Sequence, residues 1–403
     1  MAKLLLFPFS LWLFSRLVVW IAMLAIAPLL PVPPGGIAAS VDWKVFAAWD
    51  SDFYEKIAVS GYNTPHSVAF FPLFPLLVRG VMALGLAFVV AGTLVNNLAF
   101  LAALIFIYNW VASSHSRSVA RWTVVVLAWF PLSIFGSVIY SEGLYLLFSS
   151  VALRAFEQKR YGWVVLGGAL ATATRPTAMA LIPAFLIVAW LEGRKAIAYF
   201  ASLATGLGVF FYSLYCQIYF QDALAFIHVQ KAWQPAQDFF GQDWLKMLMQ
   251  IVIGTRNWQR GTIVDIWHPL LFVVICVSGY LVWKLRFKLR GYGFCLLTFV
   301  LWLLAGNPLI NTAIVFGGVY LLWYFRYQLS KTLVTYGACS YALIFSTGRT
   351  TSAERYVYGI VSVAVSLGIL LSRYPRYGYI ASAFFALLLV LYSLRFAQHL
   401  WVA

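Results

Sequence analysis

The chain predicts an all-α, polytopic membrane protein of about 11–13 transmembrane helices, on three observations. Of its 403 residues, 63% are hydrophobic and only 10% are charged, where soluble domains carry roughly 25% charged residues. Apolar runs recur along almost the whole length at the scale of about 20 residues that a bilayer requires. The basic residues, which set a net charge of +16, punctuate those runs in short clusters, as cytoplasmic loops do. That placement excludes nucleic acid and favours membrane lipids as the partner of the charge.

Taken in order, residues 4–30 form an apolar run longer than a signal-peptide core. Pro31-Val32-Pro33-Pro34 follows with no convincing A-x-A site, so the run reads as a retained anchor. Further spans are predicted at 86–110, 122–139, 143–157, 161–175, 177–192, 196–220, 266–283, 292–307, 309–325, 332–347, 356–371 and 379–397, after a first at 8–30. The whole of 1–403 reads as one integral-membrane domain. Residues 31–85 form a first outer loop carrying a short helix, and residues 221–265 a second large outer loop. Within the second, residues 243–253 have the pattern of an amphipathic helix lying in the interface.

The apolar segment 70–84 is broken by Pro72, Pro75 and Gly80. It is either a full span or a re-entrant, jaw-like piece, allowed at depth only against protein or a wet cavity. Charge decides. With a cytoplasmic N-terminus and no crossing at 70–84, 16 of the 28 Lys and Arg residues lie inside and 10 of the 12 acids outside. A crossing there would reverse the later loops against the positive-inside rule.

The four cysteines, Cys216, Cys276, Cys295 and Cys339, fall in apolar runs without C-x-x-C spacing, and read as buried small hydrophobes. Four polar clusters share the outer face: Asp50 and Asp52 with His66; Tyr140-Ser141-Glu142; Thr174-Arg175-Pro176; and Arg349 with Glu354-Arg355-Tyr356. Ionisable groups at the ends of spans pair with one another or line polar cavities. Structural ion pairing is the plain alternative for Glu142 and Arg175. Asp52, Glu55 and Lys56 have the spacing of one face of a surface helix, and Asp50 stands where a helix N-cap would. A lone loop histidine such as His66 is commonly structural.

W-D followed some twenty residues on by A-F-F-P-L-F-P, then Y-S-E-G-L-Y in a later span, resembles the PIG-V family of the GT-C superfamily. The likeness covers mainly residues 45–77 and 138–150. The chain departs from the family's W-D-x-x-H-F by reading W-D-S-D-F-Y. The resemblance implies a GT-C-like bundle and an inverting glycosyltransferase that moves mannose or a similar hexose. The donor would be a polyprenyl- or dolichyl-phosphate-linked sugar, and the acceptor a hydroxyl of a glycan, lipid or protein on the non-cytoplasmic face. By motif position Asp50 is the catalytic base, with Asp52 a secondary candidate.

One base suffices where the leaving group is already a lipid phosphate, unlike the two carboxylates of glycosidases. Arg355, Arg175 and Arg349 are candidates for the donor phosphate, because a guanidinium fork matches phosphate oxygens. His66, Tyr140, Glu142, Trp49 and Trp233 are candidate sugar or acceptor contacts. No cofactor is required; a divalent cation is not favoured, since Asp50 and Asp52 supply only two hard ligands. The membrane is a prokaryotic plasma membrane or, in a eukaryote, the endoplasmic reticulum. The competing readings are a transporter or flippase of lipid-linked sugars, and an accessory subunit silent without its partner.

Overall fold

A computed structural model describes residues 2–230, 241–284, 290–348 and 350–402. Every regular element among them is helical. In chain order these are α1 (Ala2–Ile21), α2 (Asp50–Ser60), α3 (Leu73–Met82), α4 (Phe88–Ser114), α5 (Arg117–Trp129), α6 (Glu142–Glu157), α7 (Tyr161–Thr174), α8 (Leu181–Leu191), α9 (Ala196–Ala204) and α10 (Leu207–Phe220). There follow α11 (Ala225–His228), α12 (Gln242–Val252), α13 (Thr255–Arg260), α14 (Trp267–Lys284), α15 (Arg290–Ala305), α16 (Asn307–Tyr324), α17 (Lys331–Ser346), α18 (Ala353–Tyr358), α19 (Val361–Arg373) and α20 (Pro375–Ala397).

Among the described residues four apolar helices are long enough to cross a bilayer: Leu5–Leu29, Phe88–Ser114, Trp267–Lys284 and Pro375–Ala397. A fifth is obtained if α9 and α10, bent by 44° at a short break, count as one span. Leu73–Met82, Pro176–Leu191, Arg290–Ala305 and Val361–Arg373 are shorter apolar helices. The chain is thus a multi-pass membrane protein, and the higher expected count includes apolar runs that form helices shorter than a full crossing. With ten residues α3 is about 15 Å long, half the hydrocarbon thickness, so segment 70–84 contains no full crossing.

Two expectations are corrected. The span drawn at 122–139 is not one helix: α5 stops at Trp129 and Pro131–Gly136 form a 3-10 turn, because Pro131 removes a donor and disfavours helix in the residue before it. Of the four cysteines only Cys216 is buried, and Cys276 is exposed. It lies on α14, none of whose side chains is buried within the protein, as suits a helix bathed in hydrocarbon.

The described residues fall into two compact units. The first comprises residues 1–235, 321–343 and 358–403, and the second residues 236–320 and 344–357. In the first, α4 is the central post, packed against α1, α3, α5 and α6, while α19 lies along α5 and α7 along α6. Close approach needs small residues: a Cβ on Gly143 would meet the Asn96 carbonyl oxygen at 2.6 Å.

The irregular stretch between α5 and α6 is held by buried polar groups of α1 and α4. Arg16, fully buried, donates to Ser133 O at 2.6 Å, Ala128 O at 3.0 Å and Ser137 Oγ at 2.8 Å. Asn96 Nδ2 donates to Phe135 O and Val138 O, both at 2.7 Å, and Asn97 Nδ2 to Ser137 O at 2.8 Å. These bonds satisfy backbone carbonyls that no water reaches.

In the second unit α14 and α15 form a helix pair on which α12 packs. The expected amphipathic helix is present as α12, with Met247 and Ile251 buried and Leu245 and Leu248 exposed. Trp244 sets its ring edge against Phe345, centroids 5.0 Å apart.

Candidate active site

The W-D turn is built against the Y-S-E segment. Ile139 N–H donates to Phe46 O at 3.2 Å. Ser51 Oγ donates to Ile139 O at 3.4 Å and accepts from Ala48 N at 3.1 Å. Tyr140 Oη accepts from the Asp50 backbone N–H at 3.4 Å and reaches Ala48 O at 3.5 Å. One helical turn on from Asp50, Tyr54 Oη shares a hydrogen bond with Ser141 Oγ at 3.1 Å. Residues ninety positions apart are thereby fixed to one another.

Asp50 is half-buried and is the first residue of α2; the N-cap position belongs to Trp49. Asp50 and Asp52 both stand in the first turn, where the helix dipole favours negative charge. Trp49 has φ 60° and ψ −110° without being glycine. Such a conformation costs of order 1–3 kcal/mol and persists only where surrounding contacts impose it. Here the Trp49 ring packs edge-on against Trp401, centroids 5.3 Å apart.

Glu142 opens α6 and is buried, as is Arg175, which stands extended between α7 and the Pro176–Ala180 turn. The two form an ion pair, and the Arg175 guanidinium lies 6.0 Å from the Tyr145 ring centroid. Tyr54 links this pair to Asp50. Burial pushes its hydroxyl well above the usual tyrosine range; Arg175 pulls it down, while Asp50 and Glu142 push it further up. Tyr54 therefore stays a neutral hydrogen-bonding group between two carboxylates. It was missed in the sequence, although its spacing of four from Asp50 was visible.

The A-F-F-P-L-F-P string braces the site from below. Phe70 stacks on Phe53 at 4.6 Å, and Phe74 meets Tyr54 edge-on at 4.8 Å. Its backbone is tied by Tyr62 Oη to Phe70 O, and Tyr212 Oη donates to Val68 O just ahead of it, each at 2.7 Å.

The first unit thus brings together Asp50, Tyr140, Glu142 and Arg175. His66 is exposed in the Pro65–Ala69 turn. Asp52, with Glu55 and Lys56, is exposed on the outer face of α2 as their spacing suggested. Arg355 belongs to the second unit, buried in α18 beside Glu354. Trp233 and Arg349 lie outside the described residues. Among the described residues no group of three His, Cys, Asp or Glu side chains is placed to hold a metal ion.

Two solved structures share a similar chain path at low identity. The archaeal oligosaccharyltransferase AglB from Archaeoglobus fulgidus, in complex with an inhibitory peptide and a dolichol-phosphate, aligns with TM-score 0.45 and 12% identity over 97% of this chain and 55% of its own. ArnT from Cupriavidus metallidurans aligns with TM-score 0.41 and 14% identity over 97% and 77%. Human GPI alpha-1,6-mannosyltransferase 2 (Homo sapiens) is 26% identical over 166 residues, 38% of this chain and 32% of that protein, so the matched region spans about a third of the curated relative. The profile of the family described as Mannosyltransferase (PIG-V) matches residues 8–206. That match takes in the W-D, A-F-F-P-L-F-P and Y-S-E segments and Arg175, and over residues 8–206 the chain is similar to the PIG-V mannosyltransferase family.

Proposed function

We propose that the chain is an inverting glycosyltransferase of GT-C type, moving mannose or a similar hexose from a polyprenyl- or dolichyl-phosphate donor to an acceptor hydroxyl on the non-cytoplasmic face. The observation that carries this reading is the hydrogen-bonded union of the Asp50 turn with the segment whose Glu142 pairs with Arg175. It sets a carboxylate and a guanidinium around one neutral tyrosine, at the ends of spans.

In the proposed step Asp50 takes the proton of the acceptor hydroxyl as its oxygen attacks the anomeric carbon from the face opposite the lipid phosphate. The carbon–oxygen bond to phosphate breaks, and the lipid phosphate leaves with the electron pair. A base within hydrogen-bond reach speeds such a step by about 10²–10⁴-fold. A cation at the departing phosphate stabilises charge that develops only as the bond breaks. Arg175, oriented by Glu142, fills that role in this reading. Trp49, exposed beside Asp50, and Tyr140 are candidate sugar or acceptor contacts.

The test is transfer by the purified full chain given a lipid-linked mannosyl phosphate and a panel of glycan, lipid and peptide acceptors. The product's anomeric configuration is read by nuclear magnetic resonance. Inversion supports the single-displacement step. Retention of configuration, or movement of the lipid-linked sugar across proteoliposomes without any transfer, overturns it.

A further inference from the structure

A second feature of the first unit is independent of the Asp50 cluster. A groove of about 620 Å³ opens where α1, α5 and α20 meet. Phe7 and Leu11 of α1, Trp122 and Trp129 of α5 and Tyr379 of α20 give it apolar walls, and Arg121 of α5 lines it as well. α5 and α20 contribute residues from their first turns, Ser118 and Pro375, so two N-terminal ends, each carrying partial positive charge, lie at one end of the groove.

Fixed charge accumulates there too. Arg121 is exposed, its guanidinium 5.6 Å from the Phe7 ring centroid. Arg117 is exposed one turn earlier on the same helix face, and Arg376, also exposed, follows Pro375 of the groove wall. Among the described residues none of these three arginines forms an ion pair. The acids Glu157 and Glu192 are engaged by Arg154 and Arg194.

This basic end is distant from the candidate active site. The C-terminal end of α5 leads to the stretch before Glu142, whereas Arg121 stands near its start. The 13 residues of α5 measure about 20 Å. A phosphate held by Arg121 is therefore not the one that Arg175 would meet. From Arg121 to Trp129 the α5 wall runs about 12 Å, room for a stretch of acyl chain.

We propose that this groove is a binding site for an acidic glycerophospholipid, with its headgroup phosphate on Arg121 under the field of Arg117 and Arg376, and one acyl chain along Trp122, Trp129 and Tyr379. Charge chooses the ligand. A zwitterionic headgroup brings its own cation into a site that already holds three, and an acidic one does not. The apolar walls add hydrocarbon burial that a free phosphate lacks.

The purified full chain is incubated in detergent with equal amounts of phosphatidylglycerol and phosphatidylcholine, and retained lipid is read by native mass spectrometry. Phosphatidylglycerol is retained selectively. Arg121→Gln lowers its retention by about fivefold, the contribution of one basic residue at an anionic lipid surface. Ala383→Trp, which fills the groove and leaves every charge in place, lowers it as well, and unchanged melting midpoints establish that both variants fold. Equal retention of the two lipids overturns the site, as does phosphatidylglycerol retention that survives either substitution. Displacement by millimolar inorganic phosphate overturns it too, since the acyl chain would then contribute nothing.

Discussion

Asp50 gains its setting from neighbours on both sides in sequence and from one segment far away. Trp49 takes the left-handed backbone that starts α2 abruptly, and Tyr140 accepts the Asp50 N–H. Tyr54, held by Ser141, keeps a neutral hydroxyl near the carboxylate. Replacing Tyr54 with Phe removes that hydroxyl without altering ring packing against Phe74. We expect transfer to fall about tenfold or more with little loss of stability, measured as turnover beside the melting midpoint; an unchanged turnover removes Tyr54 from the site. Glu142→Gln leaves Arg175 facing a neutral partner in a buried position. Breaking a buried pair by removing one partner costs about 3–5 kcal/mol, so both stability and donor use fall in this variant. A fall in neither would contradict the pair's role. Glu354 supplies a pH test. Burial lifts its carboxyl from 4.5 to about 7, outweighing the attraction of Arg355. The folded chain then keeps a proton that the unfolded chain releases between those values. Stability from this group is full below about 4.5 and declines as pH rises toward about 7. Melting midpoints of the wild type fall across that window, and Glu354→Gln flattens the fall; identical slopes would refute the assignment.

At the scale of elements, the decisive one is the broken crossing between α5 and α6. Hydropathy alone drew a continuous span there, because Pro131–Gly136 is as apolar as a helix. What the composition hid is that its carbonyls are satisfied from outside, by Arg16, Asn96 and Asn97. An arginine inside an anchor helix was legible as a cost, yet its partners lie more than 110 positions away and have no local signal. The same holds for the active-site elements. The W-D and Y-S-E motifs were readable individually, and the exposed face of α2 followed from spacing, whereas the docking of Ser51 on Ile139 and of Tyr54 on Ser141 required the fold. Arg16→Leu strips several buried acceptors at once, each worth about 1–3 kcal/mol when unsatisfied. We expect it to lower the melting midpoint far more than Arg121→Gln, which alters only an exposed cation. Comparable midpoints in a side-by-side denaturation series would show that the break is not held by Arg16.

For the molecule as a whole, charge distribution was the most informative property of the sequence, because it argued against a crossing at 70–84 before any coordinates, and the ten-residue α3 agrees. The division into two units was not legible: the apolar runs of both look alike, and the second is assembled from two separate stretches, 236–320 and 344–357. Membrane sidedness is testable directly. In a variant freed of its native cysteines, Thr64→Cys in intact cells reacts with an impermeant maleimide, and Arg160→Cys reacts only after permeabilisation; the reverse pattern would invert the proposed topology. The proposal as a whole depends on one carboxylate removing one proton. Single-turnover transfer by purified Asp50→Asn, with lipid-linked sugar bound at saturation, addresses this most directly. The account predicts intact donor binding with the transfer rate reduced by about 10²-fold or more, whereas a rate near that of the wild type would contradict it.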